Sequence, residues 1–576
     1  MPRLGRWIAH PRAPYFWGVA LACVLCIPGL WLGLIADDIV HRGFITEHLA
    51  GALPSRAAWW NMFDGRGPVD KLIYYGIQPW WASPHLSVAF LRPLATCSHF
   101  LDYLLWPKTP ALMHAHNIAL YAALVLLVAD LYRRLIGPGL VLWLAVLLYA
   151  ADDAHVLSTA WLASRNTLLT ALFALGSVWC FDRARAGALV WAKWLTPLLL
   201  LAAHACSEGA ISIWGYYIAY ALFLDRAPVH DRVIALAPLA MVSLGWMLFA
   251  SLLGYGVHGS GAYVDPRIEP LQFLRHASYR LPDLLRVQFG IGNEVSGELP
   301  RAARLLVRAT AVLVWLPALV YGFRTAWQQP TARFLLSGCL LALVPLCAVG
   351  TVSRLLFIAG FGAHGFAAVL LMACRERRRV AFALPLVGHA VIALLAMPLG
   401  PSFWRHTHQR VLHAMHSLPA GKEIEETVIM LVNTPDFVTS SFVAVYRQQL
   451  GGRGPLIMHT LGVCERPVRL TRLDQNAILL QPEGGYLADR TSVLARPRNE
   501  PFAKGQLIGL LGAWVGVEEL TSDGRPAQVR IAVAGLDSKH YWWMTWDAYK
   551  GAYTKLTLPA IGQTKTLYAP PGDVQW

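Results

Sequence analysis

Apolar stretches recur along the first 400 or so residues, near 14–35, 113–135, 139–151, 165–182, 194–207, 209–225, 232–254, 303–323, 333–352, 355–374 and 380–398. Helices this apolar are shielded from water only by lipid or by one another, so the chain reads as an α-helical polytopic membrane protein of about eleven spans. Composition agrees: 56% of the 576 residues are hydrophobic, 14% are charged and the mean hydropathy is +0.45. An ordinary soluble enzyme is excluded. The first stretch follows Arg3, Arg6 and Arg12 and has no small-residue cleavage site behind it, so it reads as a retained helix rather than a signal peptide.

Basic residues fall in alternate connections: Arg133 with Arg134, Arg183 with Arg185 and Lys193, Arg226 with Arg232, Arg324 with Arg333, and the run Arg375, Arg377, Arg378, Arg379. The positive-inside rule then places the amino terminus in the cytoplasm and the chain beyond residue 400 on the far side, the periplasmic face of a bacterial inner (plasma) membrane. The formal charge of +15 follows from topology, and no nucleic-acid partner is expected. Residues 1–400 read as a transmembrane domain with far-side loops 36–112 and 255–302, and residues 401–576 as a soluble domain. Trp59, Trp60, Trp80, Trp81 and Trp106 in the first loop suit short helices at the headgroup level, and the second loop has an amphipathic stretch from Leu271 to Val287.

After Pro401 the pattern changes to short strand-like runs, Thr427 to Val432, Ala477 to Leu480, Gln506 to Val515 and Gln528 to Val533. This part reads as β-rich or α+β, and no internal repeat is present. Cys97 and Cys464 are the two cysteines outside apolar stretches, which is too little to establish a bridge.

Chemistry-bearing residues gather where the far-side helix ends should lie. Asp37 and Asp38 directly follow the first apolar stretch. A carboxylate beside lipid is either a helix terminator or a base whose pKa burial has raised. Arg92 and Asp102 precede the second stretch, where Arg92 offers a planar fork for phosphate or a clamp on Asp102. Asp152, Asp153, His155, Trp161 and Arg165 crowd into one connection, a density that packing alone does not demand. Glu208 and Arg354 stand at two further helix ends, where they either neutralise each other or line a cavity with the aspartates. No spacing specifies a metal, and no phosphate-binding loop, dinucleotide fingerprint or hydrolase elbow occurs.

In order and position these residues resemble the multi-spanning glycosyltransferases of the GT-C type, especially the branch of transmembrane and tetratricopeptide-repeat O-mannosyltransferases and their bacterial relatives. The resemblance rests on Asp37-Asp38 after the first helix, on Arg92-Pro93-Leu94 with Leu101-Asp102-Tyr103 before the second, and on the His155, Trp161, Arg165 turn. Ser207-Glu208 and Arg354-Leu355-Leu356-Phe357 complete it, over roughly residues 15–375. Leu157, Asp152-Asp153 and Ser207 depart from that branch, which has a glutamate, a His-Pro and a lysine at those places. The resemblance implies a sugar donor linked to polyprenyl phosphate, an inverting transfer to a cell-envelope acceptor, and an aspartate after helix one as general base. A divalent cation between carboxylate and phosphate is compatible with this chemistry and not required by it. A transporter or flippase for lipid-linked sugars, and a non-catalytic envelope assembly protein, are the competing readings.

Overall fold

The computed structural model describes residues 10–51, 60–291, 301–375, 378–450, 455, 457–463, 466–489 and 491–568. The chain divides into two compact units, one of residues 1–64, 90–255 and 264–405 and one of residues 65–89, 256–263 and 406–576.

The first unit is helical, and every apolar window holds a helix, but the helices are unequal. Seven among the described residues are long and apolar enough to cross a membrane: Ala13–Trp31, Pro110–Leu135, Leu140–Ala160, Val229–Leu252, Ala302–Trp327, Phe357–Arg375 and Arg379–Ser417. The windows at 194–207 and 209–225 hold helices of only 13 and 10 residues, Ala192–His204 and Trp214–Phe223. Neither reaches across about 30 Å of hydrocarbon at 1.5 Å per residue. Arg165–Arg185 has 21 residues but carries Arg165 and Asp182 as well as two basic residues in its last turn.

Phe357–Arg375 forms the centre, with 89% of its apolar window inside the fold, whereas only 11% of that of Val229–Leu252 is covered. Met241, Leu244, Leu248 and Leu252 are exposed on the latter, an outward apolar face of the kind that hydrocarbon solvates. Around the centre, small residues set helix spacing. A Cβ on Gly215 would lie 2.6 Å from the Gly338 carbonyl oxygen, and one on Gly338 or Gly362 would collide with Tyr216. Tyr216 uses that closeness: its hydroxyl donates to the Ile358 carbonyl at 2.7 Å and accepts from Gly362 N at 2.8 Å. Backbones brought this near gain dispersion that larger side chains would forfeit.

Among the described residues the strands form three sheets. β1 (Asp64–Gly65), β2 (Ser87–Ala89) and β3 (Gly256–His258) make a small one. The main-sheet strands are β4 (Val428–Leu431), β5 (Ile457–Thr460), β6 (Val468–Arg472), β7 (Ala477–Pro482), β8 (Leu507–Leu510), β9 (Ala513–Leu520), β10 (Pro526–Val533), β11 (Tyr541–Asp547), β12 (Ala552–Lys555) and β13 (Thr564–Leu567). A four-stranded sheet runs β12-β11-β4-β5 and a six-stranded one β13-β6-β7-β10-β9-β8. β4 and β5 are parallel, joined through the helix Phe437–Gln449, whose first turn is capped by Asp436 accepting from Thr439 N at 2.7 Å. The expected single run Gln506 to Val515 is instead the hairpin β8–β9, because Gly512 takes φ +80° and reverses the chain. Trp80, Trp81, Met430, Leu470, Val515, Ile531 and Trp543 form the second unit's core.

Candidate functional site

The two adjacent aspartates begin the helix Asp37–Leu49, where carboxylates suit the positive end of the dipole. The first apolar helix stops at Cys26 and passes through a 3-10 turn containing Pro28. The chain then reverses at Ala36, which is forced to φ +46°. That conformation costs a non-glycine residue about 1–3 kcal/mol, and Asp38 holds the turn together. Its Oδ2 accepts from Ile35 N at 3.1 Å and its Oδ1 accepts from Ala163 N at 2.7 Å. Asp38 is 2% exposed and pins two segments that are 125 residues apart.

Asp37 has a different environment. It is half-buried, and among the described residues its carboxylate has no hydrogen-bond or ion-pair partner. Burial raises its pKa above the ordinary carboxylate value, and the charge of Arg354 pulls against that rise. The Arg354 guanidinium lies 5.0 Å from the centre of the Trp161 ring, which stacks on Trp404 at 6.1 Å with planes 13° apart. Among the described residues Arg354 donates no side-chain hydrogen bond and forms no ion pair. The Asp37 carboxylate and the Arg354 guanidinium whose charge acts on it are therefore both without hydrogen bonds among the described residues, and Trp161, itself buried, is packed between Arg354 and Trp404.

The other two arginines are committed. Arg165 is wholly buried and spends each of its nitrogens: Nε on Asn117 Oδ1 at 2.5 Å, Nη1 on the Ser98 carbonyl at 3.1 Å, and Nη2 on the Met113 carbonyl at 3.1 Å and on the Asp102 carboxylate. Asp102 in turn meets His116 Nδ1 at 2.7 Å. Arg92 grips Glu208 with two parallel bonds, 3.0 Å from Nε and 2.5 Å from Nη2. Its plane lies 4.2 Å from the Phe90 ring centre. Burial pushes the Glu208 carboxyl up, but the Arg92 charge and bonds outweigh it and hold the pKa below the ordinary value. Since 54% of that side chain still reaches solvent, the pair sits in a wet recess. The expected alternatives, Arg92 clamped on Asp102 and Glu208 balanced by Arg354, are thus replaced by crossed pairings, Arg92 with Glu208 and Arg165 with Asp102.

Asp152 and His155 belong to a separate buried network. Asp152 Oδ2 contacts His364 Nε2 at 2.7 Å, accepts from Gln288 Nε2 at 2.8 Å and lies 3.6 Å from His155 Nε2. His155 Nδ1 meets the Tyr121 hydroxyl at 3.0 Å and its ring stacks on Phe357 at 4.2 Å. Asp153 is also buried. His364, Gln288 and His389, whose ring lies 5.1 Å from that of His364, are absent from the sequence expectations. An ionisable residue within an apolar helix was the available signal. Among the described residues no three His, Cys, Asp or Glu side chains are grouped to hold a metal ion. Cys97 is an exposed free thiol, and Cys464 lies outside the described residues.

A pH experiment separates the two aspartates. Burial, with Asp37's charge adding to it, pushes the Asp38 carboxyl up to about 8 against the pull of its two backbone bonds. The folded protein keeps this proton where the unfolded chain, at about 3.9, has lost it. Asp38's contribution is therefore full below about pH 4 and is lost as pH rises through about 8. Thermal unfolding of wild type and Asp38→Asn at intervals across this window is expected to show the stability gap between them narrowing toward high pH. A constant gap overturns the assignment.

The chain matches no protein-family model, and no curated protein is similar enough to it to support an inference.

Proposed function

We propose that the first unit is an inverting glycosyltransferase that moves a sugar from a polyprenyl-phosphate donor to a cell-envelope acceptor. Asp37 is the general base. It takes the proton of the acceptor hydroxyl while that oxygen forms its bond to the anomeric carbon. The bond from that carbon to the phosphate oxygen breaks, and the departing polyprenyl phosphate keeps the electron pair. Arg354 holds its charge, and Trp161, packed against the guanidinium, fixes its position. The observation that carries this reading is the pairing of an uncommitted, half-buried Asp37 with an uncommitted Arg354, while Arg92 and Arg165 are both engaged.

The decisive assay incubates the purified protein with a panel of radiolabelled polyprenyl-phosphate sugars and envelope fractions. Within it, Arg354→Lys is expected to raise the KM for donor about tenfold, because a point charge replaces a two-pronged fork. An unchanged donor curve removes Arg354 from phosphate binding. The site is proposed to face the periplasm of a bacterial inner membrane, with the amino terminus in the cytoplasm. Reporter fusions after Arg379 and at the carboxyl terminus are then expected to give opposite signals, and equal signals refute this orientation.

The second reading, a transporter or flippase for lipid-linked sugars, draws on the Asp152–His364–His155 network inside the bundle. Under it Asp152→Asn abolishes lipid movement in vesicles in which Asp37→Asn remains active.

A further inference from the structure

The helix Pro270–Gln288 has two apolar faces, and the protein fills one of them. Phe273, Ala277, Leu281 and Leu285, each four residues from the next, pack on the helical core, with Leu284, Val287 and Gln288 buried beside them. Arg280 fastens this side, its Nη1 donating to the Cys347 carbonyl at 2.8 Å. The opposite side is bare. Leu271 and Leu274 are 81% and 62% exposed, exposed Arg275 and Ser278 lie among them on the same face, and Tyr279 is exposed at its rim. Ile268, just before the helix, is exposed too.

What covers this row follows from its neighbour. Arg267 pairs with Asp265 at 2.6 Å and donates from Nη1 to Ser251 Oγ at 3.0 Å. Ser251 stands in the last turn of Val229–Leu252, so the start of one helix is tied to the end of another whose Met241, Leu244, Leu248 and Leu252 are exposed. The outward apolar residues of Val229–Leu252 therefore resume, past Arg267, as Ile268, Leu271 and Leu274. A soluble partner would cover the second row and leave the first bare; lipid covers both.

An apolar helix that crosses a bilayer ends at the headgroup layer, and the bare row has the composition of that layer. Its leucines suit acyl chains, while the Tyr279 phenol and the Arg275 guanidinium reach the polar level. Among the described residues Arg275 donates no side-chain hydrogen bond and forms no ion pair. The carboxylates of Asp265 and Asp283 are held by Arg267 and Arg286. We propose that the outward face of Pro270–Gln288 lies in the headgroup layer and binds an anionic phospholipid, with Arg275 on the lipid phosphate. A glycerol headgroup leaves that phosphate free for the guanidinium, whereas choline brings a competing cation. This placement requires the first unit to span a membrane and is independent of the transfer chemistry.

The test uses the full-length protein in nanodiscs of phosphatidylcholine and phosphatidylglycerol. A fluorescent amino acid replaces Leu271 or Leu274, or Leu244 as the reference on Val229–Leu252. The quenchers are iodide in the water and nitroxides placed shallow or deep in the acyl chains of either lipid. Labels at Leu271 and Leu274 are expected to be quenched most by shallow nitroxides, and the label at Leu244 by deep ones. At Leu271, shallow nitroxides on phosphatidylglycerol are expected to quench about fivefold more than the same groups on phosphatidylcholine, the enrichment one cation gives at an anionic surface. Arg275→Gln, an exposed change, is expected to bring that ratio close to one. Quenching by iodide alone at Leu271 and Leu274, with Leu244 in lipid, overturns the docking. Quenching by iodide alone at all three positions overturns it together with the membrane-spanning reading. Shielding of Leu271 and Leu274 from both kinds of quencher means a protein partner instead, and a lipid ratio that Arg275→Gln leaves unchanged overturns the phospholipid site.

Discussion

Asp37→Asn is expected to lower sugar transfer by about 10²–10⁴-fold, the usual effect of removing a general base, with the protein still inserted and folded. An amide cannot take the acceptor proton, and Asp37 makes no hydrogen bond among the described residues that its loss would break. Asp38→Asn is expected to act on stability instead, since Asp38 holds Ile35 N and Ala163 N. The rate–pH profile adds a second readout. Burial holds Asp37 above the ordinary carboxylate value and Arg354 pulls it down, so transfer is lost as pH falls through a raised pKa. Removing the guanidinium, as in Arg354→Gln, is expected to move that acid limb to higher pH. Near-normal transfer by Asp37→Asn, or an acid limb that does not move, takes the catalytic role away from this pair.

Arg165→Ala is expected to destabilise the fold by about 3–5 kcal/mol, because it leaves the Asp102 carboxylate charged, buried and without its main partner. Detergent-solubilised yield and thermal unfolding check this without any activity assay. Arg92→Ala is the comparison. Its partner Glu208 is 54% accessible and can be solvated, so the loss should be near the 0–1 kcal/mol typical of exposed pairs. Equal losses for the two variants would mean that the two arginines are equally structural.

The placement of helices is legible in the sequence because apolar runs end where polar connections begin, and all the windows contain a helix. Spanning capacity is not legible there. The helices Ala192–His204 and Trp214–Phe223 have only 13 and 10 residues, and the latter packs closely on Gly338 and Ala342. The site residues are visible as residue types at helix ends, yet their pairing is not, since Arg92 meets Glu208 across 116 positions and no local spacing encodes such a contact. Adjacent aspartates look interchangeable in a string of letters. Only the backbone N–H groups around Asp38 distinguish a brace from a base. The hairpin at Gly512 was hidden because a glycine inside an apolar run marks a bulge, a close approach or a turn alike, and only its φ of +80° tells them apart.

The contact of Tyr216 with Gly338 and Gly362 has a consequence for anyone who would retool this protein. Substitution libraries change side chains on one helix at a time, whereas at this contact no side chain can be added to one helix without moving its neighbour. Alanine, the mildest change available, already collides there. The tolerable sequence space is therefore lopsided: wide at Met241, Leu244 and Leu248, whose apolar side chains are exposed, and nearly closed along the Gly215–Gly338–Gly362 seam. A deep mutational scan should show that seam as a narrow column of intolerance, set by packing alone and easily mistaken for a site of chemistry.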